Sequence, residues 1–263
     1  MRRIDSTPHE AIARPVVAIG NDYPPSCELA PHCHGRDQFL YAAKGVLAVS
    51  TAEGAWVAPP ERGIWIPAGV SHAVRMVGTV STRSVLIVPG LCPEPGRQCR
   101  VLAVSDLLRS LLVTADSLEP DYDPEGRDGL VMTLLLWELR RAPVVPLSVP
   151  FPSTAALAER CRAFLERPDP HATIDQWSAD LGLGRKTFTR LFRKETGMSF
   201  AQWRQQACLL VALPRLANGD PVTTIALDLG YDSPASFATM FKRLLGIPPS
   251  RYSRWPSMRT KLP

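Results

Sequence analysis

The chain has no apolar run long enough to cross a membrane. Its most hydrophobic stretch, Val131 to Leu139, is short and is broken by Glu138, whereas a spanning helix needs about 20 apolar residues. No hydrophobic core of a secretory signal follows Met1-Arg2-Arg3, so a cytoplasmic protein with no membrane partner is expected. The six cysteines contain no C-x-x-C pair. In a reducing compartment they read most simply as buried or inert thiols, and only Cys33, set between two histidines, stands apart. No Ser/His/Asp constellation and no phosphate-cradling glycine loop appears, which removes the commonest signatures of nucleophilic and phosphoryl-transfer enzymes.

What is present is an uneven distribution of charge. Residues 153–263 hold 16 Lys and Arg against nine Asp and Glu, a net of +7, while residues 1–152 hold 14 against 16, a net of −2. At 263 residues the chain is long enough for two domains with cores of their own. The sequence divides into a first region over 1–100, a helical connector over 101–142, a proline-rich extended linker over 143–152 (PVVPLSVPFP), and a basic region over 153–263.

The basic region repeats one design. IDQWSADLGLGRKTFTRLFRKETGM at 174–198 and VTTIALDLGYDSPASFATMFKRLLGI at 222–247 align with Leu181-Gly182 on Leu229-Gly230. One extra residue in the second turn then places Phe188 on Phe237, Phe192 on Phe241 and Gly197 on Gly246. Each copy reads as a short helix, a glycine turn and a basic helix, the sequence form of a helix-turn-helix. Thr173 and Ser233 are the expected N-caps, with Pro234 in the first turn. Phe188, Leu191 and Phe192 bury one stripe and turn Arg185, Lys186, Thr189, Arg190 and Arg193 outward. An amphipathic helical domain with merely solvated charges is the plainer reading, and the duplication with matching Gly, Phe and basic positions argues against it.

These two segments, LGLGRKTFTRLFRKETGMSF and ALDLGYDSPASFATMFKRLLGIPPSRY, resemble the double helix-turn-helix domain of AraC-family transcription regulators over about residues 154–255. The resemblance implies two reading helices joined by a linker helix over Ala201 to Ala217. It also implies double-stranded DNA as partner, one chain reading two adjacent major-groove segments; a homodimer and a contact with RNA polymerase are further expectations. Base-contacting positions carried over fall on Lys186, Thr189 and Arg190 in the first copy, Arg190 being suited to a bidentate pair with guanine. In the second copy they fall on Pro234, Ala235, Ala238 and Thr239, of which only Thr239 offers a side-chain hydrogen bond. Arg185, Arg193, Ser233, Ser236, Lys242, Arg243 and Arg251 suit phosphates. Ala207 stands where many relatives carry a basic residue. Pro214 is expected to kink or end the linker helix.

The first region reads as short strands at Gln38–Ala43, Val46–Thr51, Ala55–Ala58, Gly63–Ile66, His72–Met76 and Ser84–Val88, which argues for a β-barrel or sandwich. The whole is therefore expected to be α+β, with an all-α C-terminal domain. His32-Cys33-His34 with Gln38 and Gly45, then Pro67-Ala68-Gly69 with His72, resembles the two motifs of cupins over about residues 28–90. That resemblance implies His32, His34, Gln38 and His72 as ligands of a divalent metal such as Zn, Ni, Fe(II) or Mn. Gln38 replaces the acidic ligand and weakens the set, and histidines that only line a pocket are the alternative. In the connector, Leu107, Leu108, Leu111 and Leu112 share one helical face, and Leu130, Leu134, Trp137 and Leu139 lie in a second helix. These helices either cap the first domain or build a dimer interface.

Two functions fit: a sequence-specific DNA-binding transcription regulator sensing a small molecule or metal ion, or a metal-dependent cupin enzyme with an appended DNA-binding domain. The first is favoured because the acidic ligand is lost and no positioned catalytic acid or base accompanies the histidines.

Overall fold

The computed structural model describes residues 12–92 and 98–252. The segment that follows Met1-Arg2-Arg3 and the last eleven residues of the basic region, 253–263, lie outside the described residues. The chain divides into two compact units, one made of the chain through Thr51 with Trp56–Leu147, the other of Ala52–Ala55 with the chain from Ser148 onward.

The first unit is built on an antiparallel sheet. Its strands are β1 (Val16–Tyr23), β2 (Glu28–His32), β3 (Asp37–Thr51), β4 (Gly54–Ala58), β5 (Arg62–Ile66), β6 (His72–Ile87), β7 (Arg100–Ala103) and β8 (Val144–Val145). The hydrogen-bonded path runs β1-β6-β3-β5-β7-β8, with β2 on β6 and β4 on β3. No pairing joins β1 to β8 among the described residues, so of the expected barrel or sandwich the closed barrel is not formed and the sheet is open.

Two pairs of expected strands are each one long strand, and β1, β2 and β7 were not foreseen at all. β3 carries both Gln38–Ala43 and Val46–Thr51, because its register against β6 slips on either side of Lys44. Gly45 makes the slip possible: its φ is +83°, and a Cβ there would lie 2.7 Å from the Thr79 carbonyl oxygen and 2.6 Å from Val80 Cγ2. Only glycine meets both demands at low cost.

Alternation along the strands gives the sheet two faces. Phe39, Tyr41, Trp65, Val85 and Leu102 pack with Leu108, Leu111 and Leu112 of α1 (Asp106–Ala115) and with Met132, Leu135 and Leu139 of α2 (Arg127–Arg141). Of the apolar residues singled out in these helices, Leu108, Leu111, Leu112 and Leu139 are buried, while Leu107 is 48% exposed and Leu130, Leu134 and Trp137 are 68%, 43% and 56% exposed. A salt bridge from Arg83 of β6 to Asp116, the C-cap of α1, spans 3.1 Å. Its carboxylate fills the space over Gly20 of β1, where a Cβ would sit 1.9 Å from Asp116 Oδ1.

The second unit contains β9 (Ser148–Pro150) and seven helices among the described residues. They are α3 (Ala155–Glu166), α4 (Ile174–Asp180), α5 (Arg185–Thr196), α6 (Phe200–Ala217), α7 (Val222–Asp228), α8 (Pro234–Leu245) and α9 (Pro249–Tyr252). Residues 143–152 are extended and pair with other segments: Phe151 N–H donates to the Glu53 carbonyl at 2.7 Å, and Pro150 O accepts from Trp203 Nε1 at 2.8 Å. Pro214 neither breaks nor ends α6, a correction. The helix runs on for three residues to Ala217, with the Pro214 carbonyl accepting from Asn218 N–H at 3.0 Å, although the proline has no N–H to give the Leu210 carbonyl one turn back.

Replacing Gly45 by alanine is expected to lower stability by about 2 kcal/mol through backbone strain and steric overlap. The check is the midpoint of urea unfolding, with an unchanged slope.

Candidate nucleic-acid interface and sensor cavity

The two reading helices are placed by short-range rules. Thr173 accepts from Gln176 N–H and Gln176 answers the Thr173 backbone, a complete capping box that fixes the start of α4. Gly182, at φ +64°, turns the chain toward α5, and Gly197, at φ +72°, ends it. Phe188 and Phe192 are fully buried, which leaves Arg185, Lys186, Thr189, Arg190 and Arg193 exposed, as their spacing implied. Arg185 is engaged with Asp175 at 2.6 Å.

In the second motif Ser233 caps α8 by accepting from Ser236 N–H, with Pro234 in its first turn. Gly230 at φ +80° makes the turn, Gly246 at φ +76° ends α8, and Phe237, Met240 and Phe241 are buried. Ala235, Ser236, Thr239, Lys242, Arg243 and Arg251 are exposed, while Ser233 is half-buried. Arg243 donates to Gln205 Oε1 at 2.7 Å. Thr189 and Thr239 each turn the hydroxyl hydrogen back along the helix, to the Arg185 and Ala235 carbonyls respectively, both at 2.9 Å. Ala207 is fully buried.

In the first unit, His32, His34 and His72 come together. Each offers a ligand atom, and all three atoms lie within 4.8 Å of one another. Ring centroids are 4.4 to 5.5 Å apart. His32 Nδ1 lies 2.8 Å from the Ala30 carbonyl and His72 Nδ1 lies 2.9 Å from the Val70 carbonyl. A carbonyl only accepts, so both Nδ1 atoms carry a proton, and in the neutral ring it is Nε2 that holds the lone pair. That is the tautomer a metal ligand needs, held by the carbonyl partner such ligands use. Burial pushes the His72 imidazole down to about 4, with smaller help from His32 and His34 and against the Val70 carbonyl, so at neutral pH the ring is uncharged.

The histidines line a cavity of about 550 Å³, within the size range of small-molecule sites. Gln38 lines it too, and its amide oxygen is buried without a hydrogen-bond partner among the described residues. The remaining wall joins apolar Ile19, Leu40 and Met76 to polar Asn21, Thr82 and Ser84. Asn21 and Thr82 were missed because β1 gave no recognised strand signal. In the structure they face each other across β1 and β6, with Asn21 N–H donating to Thr82 Oγ1 at 3.2 Å. Cys33 is exposed and Cys27 half-buried. The other four thiols are buried, and burial pushes those of Cys161 and Cys208 up to about 12, as inert thiols require.

Residues 177–254 match the helix-turn-helix domain family. Over 246 residues, 93% of this chain and 88% of the relative, the sequence is 32% identical to the HTH-type transcriptional regulator NimR of Escherichia coli. The chain belongs to the AraC family of transcription regulators. As such it is a DNA-binding transcription regulator. The arabinose operon regulatory protein of Salmonella typhimurium is 28% identical over 49% of the regulator and 47% of that protein. Among solved structures, the DNA-binding domain of AdpA in complex with a target DNA is 29% identical, covers 40% of the regulator and 96% of that chain, and has a TM-score of 0.37. No helix among the described residues is long and apolar enough to cross a membrane.

Proposed function

We propose that this regulator is a homodimer that selects its operator chiefly through α5 and senses a small molecule or divalent metal ion in the cavity of its first unit. The observation that carries the sensing part is the convergence of His32, His34 and His72 on one point of a cavity large enough for a small molecule. A divalent ion such as Zn, Ni, Fe(II) or Mn, held there, supplies a Lewis-acidic centre with coordination positions left for a donor atom. Gln38 contributes no charge, so the set is weaker than one with a carboxylate. The Ala30 and Val70 carbonyls orient the rings, and the sheet excludes bulk water from His34 and His72, which are buried. The relatives are transcription regulators rather than enzymes, and no catalytic residue is assigned. Turnover of a substrate by metal-loaded protein would favour the cupin-enzyme alternative.

In operator reading, Lys186, Thr189 and Arg190 meet base edges from the exposed face of α5, Arg190 as a bidentate donor to guanine. Thr239 joins them from α8. Arg185, Arg193, Ser233, Ser236, Lys242, Arg243 and Arg251 hold phosphates, which fix register without reading sequence. Occupancy of the cavity changes operator affinity only as far as the effector binds the two states of the protein differently.

Dimerisation is assigned to the exposed α2 stripe of Leu130, Leu134 and Trp137, apolar surface that a partner copy would remove from water. Leu134→Asp is expected to shift the sedimenting species from dimer to monomer with an unchanged far-UV spectrum. A wild-type monomer at operator-binding concentrations would overturn the assignment.

The DNA assignment is tested on a labelled fragment from upstream of the regulator's own gene, against a scrambled fragment, across a salt series. Arg190→Ala is expected to lose about 1 to 3 kcal/mol at one operator base pair. Equal loss on scrambled DNA rejects that role. Lys242→Ala or Arg243→Ala should weaken binding to every sequence and flatten the salt dependence.

For the sensor, the purified protein is expected to take up one divalent ion per chain by calorimetry, and His34→Gln and His72→Gln to abolish the uptake. Identical uptake by the variants sinks the metal assignment and leaves the cavity to an organic effector.

A further inference from the structure

We propose that α8 is a thymine reader, selecting bases through their methyl groups rather than through hydrogen bonds. The inference rests on the reading that α5 and α8 both enter the major groove.

Ala235, Ala238, Thr239 and Lys242 stand at i, i+3, i+4 and i+7 of α8, one stripe along the helix, opposite the buried Phe237, Met240 and Phe241. Ala235, Thr239 and Lys242 are exposed and Ala238 is half-buried. The middle of this stripe carries no side-chain amide, guanidinium or ammonium group. The Thr239 hydroxyl is the single hydrogen-bonding group there, and its hydrogen is spent on the Ala235 carbonyl at 2.9 Å. What the stripe offers outward is three methyl groups, with Lys242 at its C-terminal end.

The matching stripe of α5 has the opposite chemistry. Lys186, Thr189, Arg190 and Arg193 occupy the corresponding places, so two helices of the same length, each ended by a left-handed glycine, present, one a set of cations, the other a set of methyls. In the major groove the thymine C5-methyl is the one apolar feature by which a base pair is told from the others. Alanine and threonine are also small, which lets α8 approach base edges closely. A guanine, with two acceptors and no methyl, finds no donor in the middle of the stripe. Ser236 and Arg243 flank it on the exposed surface, where phosphates would set the register. The second motif therefore contributes sequence choice of its own, at thymines that no hydrogen-bond inventory would assign to it.

A pool of duplexes with randomised positions is enriched on the purified full-length protein, and the winning duplex is resynthesised with each thymine singly replaced by deoxyuridine, which removes only the methyl. Each thymine facing α8 is expected to lose about threefold to fivefold in affinity on replacement, the worth of one buried methyl. Thr239→Ser keeps the hydroxyl and its helix bond and removes the methyl. It should bind thymine and uracil equally at one of those positions while leaving the Arg190-dependent positions unchanged. Absence of any uracil-sensitive thymine, or undiminished discrimination by Thr239→Ser, overturns the proposal. If Arg190→Ala abolishes preference in the other segment while this one shows none, operator reading stands and the thymine assignment alone falls. If no sequence is enriched at all, both fall.

Discussion

Burial of one indole holds the first reading head together. Aromatic residues make up only 7% of the chain, yet Trp177 of α4 has five other rings around it with centroids 4.8 to 6.5 Å away. They are Phe164 from α3, Phe188 and Phe192 from α5, and Phe200 and Trp203 from α6. Four helices meet on that ring in the edge-on and tilted arrangements that aromatic quadrupoles favour. Arg160 covers it at 4.9 Å, a cation over a π face. The outward direction of Lys186 and Arg190 is thus set by where Phe188 and Phe192 are buried. The second motif has a smaller chain of rings, Tyr231, Phe237, Phe241 and Tyr252, serving the same end for α8.

This dependence on local packing explains why the basic region was so legible in the sequence. Caps, glycine turns and a 3.6-residue period are all short-range signals, and Thr173, Ser233, Pro234, Gly182 and Gly197 act where their chemistry says they should. Sheet pairing is long-range. The partners of β1 lie 57 to 71 residues away on β6, and nothing local distinguishes an open sheet from a closed one. β2 and β7 are short and flanked by irregular chain, and the slip at Gly45 disguised one strand as two. In α2, apolar residues occupy more than half the helix surface, so periodicity alone could not say that Met132, Leu135 and Leu139, rather than Leu130, Leu134 and Trp137, face the core.

The histidines were legible for a different reason. His32 closes β2 and His34 follows two residues beyond its end, and His72 is brought opposite by the antiparallel pairing of β2 with β6, where His32 faces His72 directly. The polar wall across the cavity was not legible, since Asn21, Thr82 and Ser84 reach it only through the β1–β6 register. A sequence motif reports the residues that touch a centre, while the shape and polarity of the space around it depend on pairings made elsewhere.

β6 belongs to both faces at once. Thr82 and Ser84 line the cavity, and between them Arg83 points the other way, to the carboxylate that closes α1. A strand is too thin to isolate its two sides: a shift of the Thr82 backbone by a fraction of an ångström is also a shift of the guanidinium anchored at Asp116. Gly20 leaves no side chain between the sheet and the helix end. The floor of the cavity and the seat of the helix pair are thus opposite sides of one strand.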